Sequence, residues 1–386
     1  MAGIGSASFL ADVGHEIPTS LLPSLLTSLG APAAALGLIE GISDGLAGAA
    51  RFAGGALADD PHRRRTVAVG GYTATAVLAA ATGAATNVWQ VGGLRAGAWA
   101  ARGLRVPARN ALLADIVPPA AYGRAYGFER AMDNLGAVCG PLLAIGLVAV
   151  FSLRTAIALS MVPGLLAAAA IVYAIRKAPR AEIRERVPIR IRVRPVLRGD
   201  LGRLMAGVSA FEIGNVAATL LILRATELLT PAHGLTTATS LALGLYVAYN
   251  LAAAVASVPA GQLADRVGPV HVLIAGVALF ALSYAVLAAG STYWLVLALP
   301  FITAGAAIGC VETAEHSAVA ALAPTGLRGS AFGMLATVQS LGNLAASVVA
   351  GALWTLVSPA VAFAYVAGWM LLALCVLVAT NRRRGT

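Results

Sequence analysis

The chain has 386 residues, of which 59% are hydrophobic and 11% are charged, and its mean hydropathy is +0.82. A soluble core of this size cannot hide so much apolar surface, so the composition excludes a soluble globular protein and predicts an all-α integral membrane protein. The formal net charge is +10, but the basic residues are spread over alternate loops, which argues against a nucleic-acid partner.

Stretches of roughly 20 to 26 apolar residues, each long enough to cross about 30 Å of hydrocarbon, follow one another along the chain. They predict twelve membrane-spanning helices. The predicted spans are residues 3–28, 32–58, 66–85, 88–113, 124–151, 155–175, 201–229, 238–264, 269–289, 293–319, 329–357 and 359–380. Residues 1–176 and 201–386 are predicted to form two six-helix bundles, joined by a polar cytoplasmic linker at 177–200.

Loops rich in arginine alternate with loops that contain almost none. The basic loops lie at residues 63–65, 176–203, 266, 328 and 382–384. The opposite loops contain little besides Arg154. By the positive-inside rule, this asymmetry predicts a multi-pass protein of the plasma (inner) membrane with both termini in the cytoplasm. A side role of the basic loops in binding anionic lipid stays open.

In the first span, polar residues form one stripe on an otherwise apolar helix. Ser8, Asp12, His15, Glu16 and Thr19 follow the i, i+4, i+7, i+8 and i+11 spacing of one helical face. Ionisable residues inside a membrane are costly and by default mark a functional site, so we expect this stripe to face a wet cavity.

The second span adds Glu40, Asp44 and Arg51. We expect one of the four acids of the first two spans, Asp12, Glu16, Glu40 or Asp44, to bind and release a proton. For any single acid, the alternative is a static ion pair that only holds helices together.

In the fourth span, Arg95, Arg102 and Arg109 recur every seven residues and share a helix face with Trp99. Arginines on a spanning helix are too costly to face lipid, so they must meet acids or water. Arg105 and Arg109 lie near the predicted cytoplasmic end, and we expect their side chains to extend to the aqueous surface. Arg95 is the candidate for proton coupling.

The fifth, seventh and tenth spans supply the other intramembrane charges, whereas the third, sixth, ninth and twelfth contain essentially none. Glu129 and Asp133 are further candidates for proton coupling. The substrate-cavity candidates are His15, Trp99, Arg102, Glu212, Asn215, Asn250, Glu312, Glu315 and His316. Together with Cys310, several of these side chains offer nitrogen, oxygen and sulfur donors that suit a divalent metal.

The fifth span contains Gly127, Gly136, Gly140 and Pro141 at the spacing G-x8-G-x3-G-P. The eleventh span repeats the first two glycines 206 positions later but has Ser347 where the fifth has proline. Small residues at intervals of four also suit any tightly packed helix pair.

A short motif closes the second span and recurs at the same offset of 206 at the end of the eighth. Gly55 and Asp59 reappear as Gly261 and Asp265, and arginine follows both copies. Two blocks with one offset indicate an internal duplication, as in transporters that expose one site alternately to two sides.

These motifs resemble the major facilitator superfamily (MFS), whose signature loop occurs once per half. The resemblance implies the MFS fold, with 12 transmembrane helices in two pseudo-symmetric bundles and spans 3, 6, 9 and 12 as outer supports. It also implies a cytoplasmic gate in which Asp59 contacts the start of the eleventh helix and Asp265 the start of the fifth. The implied gate residues are Gly55, Asp59, Arg63, Gly261, Asp265 and Arg266.

The glycine motif of the fifth span resembles that of the superfamily's proton-coupled antiporters, and Arg95 stands where the family often has a buried arginine linked to proton coupling. We therefore expect a secondary transporter, not an enzyme, that exports a small molecule as protons run inward. The expected partners are the substrate, protons and the bilayer; no cofactor is expected, and the protein is predicted to be a monomer. The alternatives are a divalent metal or metalloid exporter and a non-transporting receptor on the same scaffold.

Overall fold

The structure, a computed structural model, describes residues 1–177, 189, 192–290 and 293–382. Within these residues the chain consists of α-helices, three short 3-10 helices and connecting turns, and contains no β-strand. The helices are α1 (Ala2–Ser28), α2 (Ala33–Ala58), α3 (Pro61–Ala81), α4 (Val88–Ile116), α5 (Tyr122–Val150), α6 (Leu153–Leu159), α7 (Met161–Lys177), α8 (Val193–Val196), α9 (Gly199–Glu212), α10 (Ala218–His233), α11 (Leu235–Val267), α12 (Pro269–Ala289), α13 (Trp294–Leu322), α14 (Arg328–Leu356) and α15 (Pro359–Arg382).

Most predicted spans correspond to one helix, but the sixth and the seventh are each divided. α6 and α7 meet at Ser160, just before Pro163 in the first turn of α7, where the missing N–H of proline is tolerated. α9 ends at Glu212 and α10 begins at Ala218, with a non-helical stretch between them. Most of the predicted linker 177–200 lies outside the described residues.

Eight helical segments of the described chain are long and apolar enough to cross a bilayer by length and composition. α1, α2 and α4, which carry clustered polar and charged residues, are not among them. The all-helical prediction is therefore confirmed, while the number of twelve crossings stays a prediction.

The helices form two compact units. Unit 1 comprises Met1–Pro119, Met132–Val196 and Ala323–Thr337, and unit 2 comprises Ala120–Ala131, Leu197–Leu322 and Val338–Thr386. Each unit thus contains most of one sequence half and the start of a long helix from the other half: α14 in unit 1 and α5 in unit 2. The domain boundaries at residues 176 and 201 stay a prediction.

Glycines bring helix backbones into contact inside each unit. In unit 1, a β-carbon at Gly54 of α2 would lie 2.5 Å from Leu104 O of α4, and one at Gly103 of α4 would lie 2.5 Å from Ala47 O of α2. In unit 2, Gly305 of α13 faces the backbone of α11 in the same way. Close packing of this kind fixes α4 and α13 beside their partners and so positions the charges that they carry.

One apolar cluster of unit 1 lies beyond the polar stripe of α1. Leu22, Leu25, Ile39, Val91 and Ile157 form a buried cluster there. Asp12, His15 and Glu16, the ionisable side chains of α1, all precede this cluster along the helix.

Candidate functional site

The polar stripe of α1 faces the arginine column of α4 in unit 1. Three arginines of α4, each about two turns from the next, donate hydrogen bonds to this stripe. The pairs, which we call the arginine ladder, are Arg95 Nη1 with Thr19 Oγ1 at 3.1 Å, Arg102 Nη2 with Asp12 Oδ1 at 3.0 Å, and Arg109 Nη1 with Ser8 Oγ at 2.9 Å. The two stripes predicted separately thus meet in one antiparallel contact.

Acids from two further helices pair with the outer arginines of the ladder. Glu40 of α2 lies 2.8 Å from Arg95 Nη2, and Asp133 of α5 lies 3.5 Å from Arg109 Nη1. The side chains of both arginines are 5% exposed. Removal of either acid would therefore take a counter-ion away from a buried charge.

The remaining candidates of the first two helices lie beside the ladder. Glu16, Asp44 and Arg51 each interact electrostatically with Arg102. The structure thus brings the proton-coupling candidates of unit 1 into one group around α4. These candidates are Asp12, Glu16, Glu40, Asp44, Arg95 and Asp133.

Trp99 lies between two arginines of the ladder. The guanidinium carbons of Arg95 and Arg102 are 5.3 Å and 5.7 Å from its ring centroid, within the range of cation–π attraction. His15 meets the same ring edge-on, with the centroids 4.9 Å apart. The indole Nε1 is buried and has no hydrogen-bond partner among the described residues. Trp99 therefore adds an aromatic ring to the arginine ladder.

Arg105 and Arg109 are buried, so the prediction that they extend to the aqueous surface was wrong. They are 3% and 5% exposed. The guanidinium carbon of Arg105 lies 4.0 Å from the ring centroid of Tyr72 on α3, whereas Arg109 is held by Ser8 and Asp133. Internal partners thus compensate both arginines. Tyr72 was missed because its span lacks the buried charges that singled out the other helices.

Two glycines of the α5 motif pack against the two acids of α1. A β-carbon at Gly136 would lie 2.7 Å from Phe9 O and 2.9 Å from Asp12 Cβ. One at Gly140 would overlap Glu16 Cβ. No larger residue fits at these positions without displacing α1. These two glycines and the acids, predicted independently, are therefore parts of one contact.

A second group of charges lies in unit 2, at the start of α5. Arg130 donates two hydrogen bonds to Glu129, at 2.7 and 2.8 Å, and its Nη1 lies 3.8 Å from Glu312 Oε2 of α13. The rings of Tyr126 and His316 lie one helical turn away, with their centroids 5.8 Å apart. Successive turns of α5 thus supply charges to both units.

Glu315 of α13 is fully buried in unit 2. One carboxyl oxygen accepts a 2.8 Å hydrogen bond from Gln339 Nε2 of α14, and the other has no partner among the described residues. Glu212 and Glu312 interact with it electrostatically. Asn250, in contrast, donates to a backbone carbonyl of its own helix and does not join this group.

The break between α9 and α10 is held by two side chains of α14. Asn343 Nδ2 donates to Asn215 O at 2.8 Å, and Ala217 N–H donates to Ser347 Oγ at 2.9 Å. Asn215 Nδ2 in turn lies 3.0 Å from the carboxyl of Glu212, the last residue of α9. Ser347 stands where α5 has proline, so this departure from the first repeat has a structural role that the sequence comparison alone did not reveal.

The donors of the metal alternative do not gather in one place. The part of the chain that the structure describes contains no group of three or more His, Cys, Asp or Glu residues able to hold a metal ion. His15 packs on Trp99, and Nδ1 of His316 lies 2.7 Å from Glu312 O, a backbone carbonyl of its own helix.

Asp59 and Asp265 each cap the start of a long helix, which is the contact implied by the resemblance. Asp59 accepts a 2.8 Å hydrogen bond from Ser330 N–H of α14. Asp265 accepts a 2.6 Å hydrogen bond from Gly123 N–H of α5, and Arg124 Nε lies 2.9 Å from its other oxygen. The free N–H groups and dipole of a helix N-terminus favour an acid there. Burial raises the pKa of Asp59, whereas the hydrogen bonds from Ser330 act against this rise.

Glycines permit these two caps. A β-carbon at Gly55 would lie 2.8 Å from Gly329 O and 2.9 Å from Gly333 Cα, and one at Gly261 would overlap Gly123 O. The signature loops therefore place helix backbones in direct contact with the helix starts that they cap.

A charge cluster that the sequence did not predict lies beside Asp59. Asp115 of α4 is ion-paired with Arg64, and Arg328 Nη1 of α14 lies 3.0 Å from its Oδ1. No repeat or spacing singles out Asp115. Of the predicted gate arginines, Arg63 pairs with Asp60, the acid that caps the start of α3. Arg266 is exposed at the end of α11.

The sequence and fold match known proteins along almost the whole chain. The family model of the Major Facilitator Superfamily matches residues 4–245 and 204–386. An uncharacterized MFS-type transporter of Methanocaldococcus jannaschii is 26% identical over 367 residues, which cover 94% of this chain and 90% of that protein.

Two solved structures have a similar fold. The human organic anion transporter MFSD10 (TETRAN) has a TM-score of 0.73 at 18% identity and covers 97% of this chain and 99% of its own. A bacterial homologue of the iron transporter ferroportin has a TM-score of 0.76 at 16% identity and covers 99% of both chains. Likeness at such identities shows the fold alone. Because the family model matches both halves, this multi-pass membrane protein belongs to the Major Facilitator Superfamily of transporters.

Proposed function

We propose that the protein exports a small molecule across the plasma membrane in exchange for protons, by alternating access. The observation that carries this proposal is the arginine ladder with its paired acids, Asp12, Glu40 and Asp133. Each acid can bind either a guanidinium or a proton, so protonation separates the pair and frees the arginine. Proton binding would thereby alter the contact between α1 and α4.

The inferred direction of transport rests on α5. The spacing of Gly127, Gly136, Gly140 and Pro141 resembles that of proton-coupled antiporters, and two of these glycines touch the α1 turns that carry the acids. A displacement of α5 would act directly on Asp12, so a conformational change and the proton site are mechanically linked.

Under this proposal the chain crosses the membrane twelve times, with α6 and α7 forming one crossing and α9 and α10 another. Both termini lie in the cytoplasm, as the arginine-rich loops predict. The transporter acts as a monomer, and the proton gradient, not a cofactor, drives transport.

The substrate's charge depends on which member of a ladder pair it replaces. An organic cation would take the place of Arg102 beside Asp12 and would stack on Trp99. An organic anion would instead take the place of the carboxylate and bind Arg102. Both classes therefore belong in the functional test.

The test uses everted membrane vesicles with an acidic interior and a pH-sensitive dye, to which organic cations, organic anions and divalent metals are added in turn. One class should relieve the quenching of the dye as protons leave, and Asp12→Asn should abolish this response. Absence of any response in the unaltered protein would contradict proton antiport. Ligand binding without flux would instead favour the receptor alternative.

A further inference from the structure

An open groove of about 400 Å³ runs between α3 and α7 on the surface of unit 1. Its lining includes Val69 and Thr73 of α3 and Ala168, Val172, Tyr173 and Arg176 of α7. Among the described residues, the lining contains one cation, at the end of the groove, and no acidic residue.

Small side chains leave space between the two helices at the groove. Near its start α7 touches α3 closely, since a β-carbon at Gly164 would lie 2.6 Å from Ala76 Cβ. Toward the end of α7 the side chains that face α3 include alanines, which leave space unfilled.

Positive charge concentrates at the same end of the groove. Arg176 and Lys177 are both exposed, and Lys177 Nζ lies 5.3 Å from the ring centroid of Tyr173. α3 and α7 are antiparallel: Ala76 of α3 contacts Gly164 of α7, and Val69, earlier in α3, shares the groove with Val172, later in α7. A tyrosine beside basic residues is typical of a membrane–water interface.

We propose that this groove is a binding site for an anionic phospholipid. One acyl chain would fill the apolar part, and the headgroup phosphate would contact Arg176 and Lys177. An apolar groove in a membrane-embedded surface is filled by hydrocarbon chains, and cations at its mouth favour an anionic headgroup over a zwitterionic one. The proposal does not depend on which substrate the protein transports or on its coupling to protons.

Lipid binding to the purified, delipidated full-length protein tests this proposal directly. Phosphatidylglycerol and phosphatidylcholine are titrated in turn, and the bound lipids are counted by native mass spectrometry. We expect phosphatidylglycerol to bind more tightly. Arg176→Gln/Lys177→Gln should weaken its binding about 25-fold, that is about fivefold for each lost cation, and should leave phosphatidylcholine unchanged.

Two control variants distinguish the effect of the charge at the groove from the effect of the protein's net charge. Arg194→Gln/Arg198→Gln removes the same charge from exposed residues outside the groove and should bind phosphatidylglycerol like the unaltered protein. Arg176→Lys/Lys177→Arg keeps both charges and should also retain binding. Equal affinity for the two lipids, or equal weakening by the control at Arg194 and Arg198, would overturn the proposal.

A third variant tests the apolar part of the groove. Ala169 is exposed and also lines the groove, so Ala169→Leu adds volume there without disturbing the core of unit 1. This variant should weaken binding of both lipids. A melting temperature equal to that of the unaltered protein would show that the fold is intact. Unchanged binding of both lipids, or displacement of phosphatidylglycerol by soluble glycerol phosphate alone, would contradict an acyl-chain site.

Discussion

Asp12 and Gly136 are in direct contact: a β-carbon at Gly136 would lie 2.9 Å from Asp12 Cβ. Asp12 also pairs with Arg102 at 3.0 Å. Asp12 therefore contacts both the arginine ladder and Gly136 of the α5 glycine motif. A change at Asp12 can act on α4 and α5 together.

The first prediction concerns proton coupling. Asp12→Asn keeps the size of the side chain but removes its charge, so Arg102 loses its ion pair and the site can no longer exchange a proton. We expect substrate-driven proton release from everted vesicles to disappear. Glu227→Gln is the matched control, because Glu227 is exposed and lies outside the ladder. Proton release that survives in Asp12→Asn would remove this acid from the coupling mechanism.

The second prediction concerns the close contact of α5 with α1. Gly140→Ala places a methyl group on Glu16 Cβ, and overpacking of this kind costs about 1–3 kcal/mol. We expect a lower melting temperature and at least tenfold slower transport. Gly146→Ala, in the same helix, meets nothing within 4 Å and should be neutral or slightly stabilising. If the two variants behave alike in both measurements, the contact has no special role.

The helices and charged faces could be predicted from the sequence because their signals are local. The seven-residue spacing of Arg95, Arg102 and Arg109 defines one face of α4 without any knowledge of its neighbours. Which acid each arginine meets depends on how α1, α2 and α5 are rotated about their own axes where they pack against α4. That rotation is set by packing contacts such as Gly136 on Asp12, which a single sequence does not reveal.

The sequence did not predict some features, because they also depend on packing between helices. Arg105 was expected to reach water because it lies near a helix end, but a ring on α3 supplies its partner. Asp115 belongs to no motif, and its partners come from α3 and α14, far away in sequence. The break after Glu212 is marked by only one glycine and one asparagine, a weak local signal. Its support comes from α14.

The third prediction concerns the cap on α5. Asp265→Ala removes the acceptor of Gly123 N–H and the ion pair with Arg124. A charge-assisted hydrogen bond contributes about 1.5 kcal/mol or more, so amide hydrogen exchange at the start of α5 should become about tenfold faster. Asp200→Ala, which removes an exposed pair with Arg203, should leave this exchange unchanged. Equal exchange in Asp265→Ala and the unaltered protein would show that the cap does not hold the helix start.

The fourth prediction concerns the break in the seventh span. Ser347→Ala removes the acceptor of Ala217 N–H, and an unsatisfied, partly buried N–H costs about 1–3 kcal/mol. We expect faster hydrogen exchange in residues 213–217 and slower transport, because the position of Glu212 depends on the adjoining turn. Thr355→Ala is the matched control, since Thr355 bonds only within α14 and is exposed. Faster exchange with unchanged transport would make the break a purely structural feature. Unchanged exchange would show that Asn343 alone is sufficient to hold it.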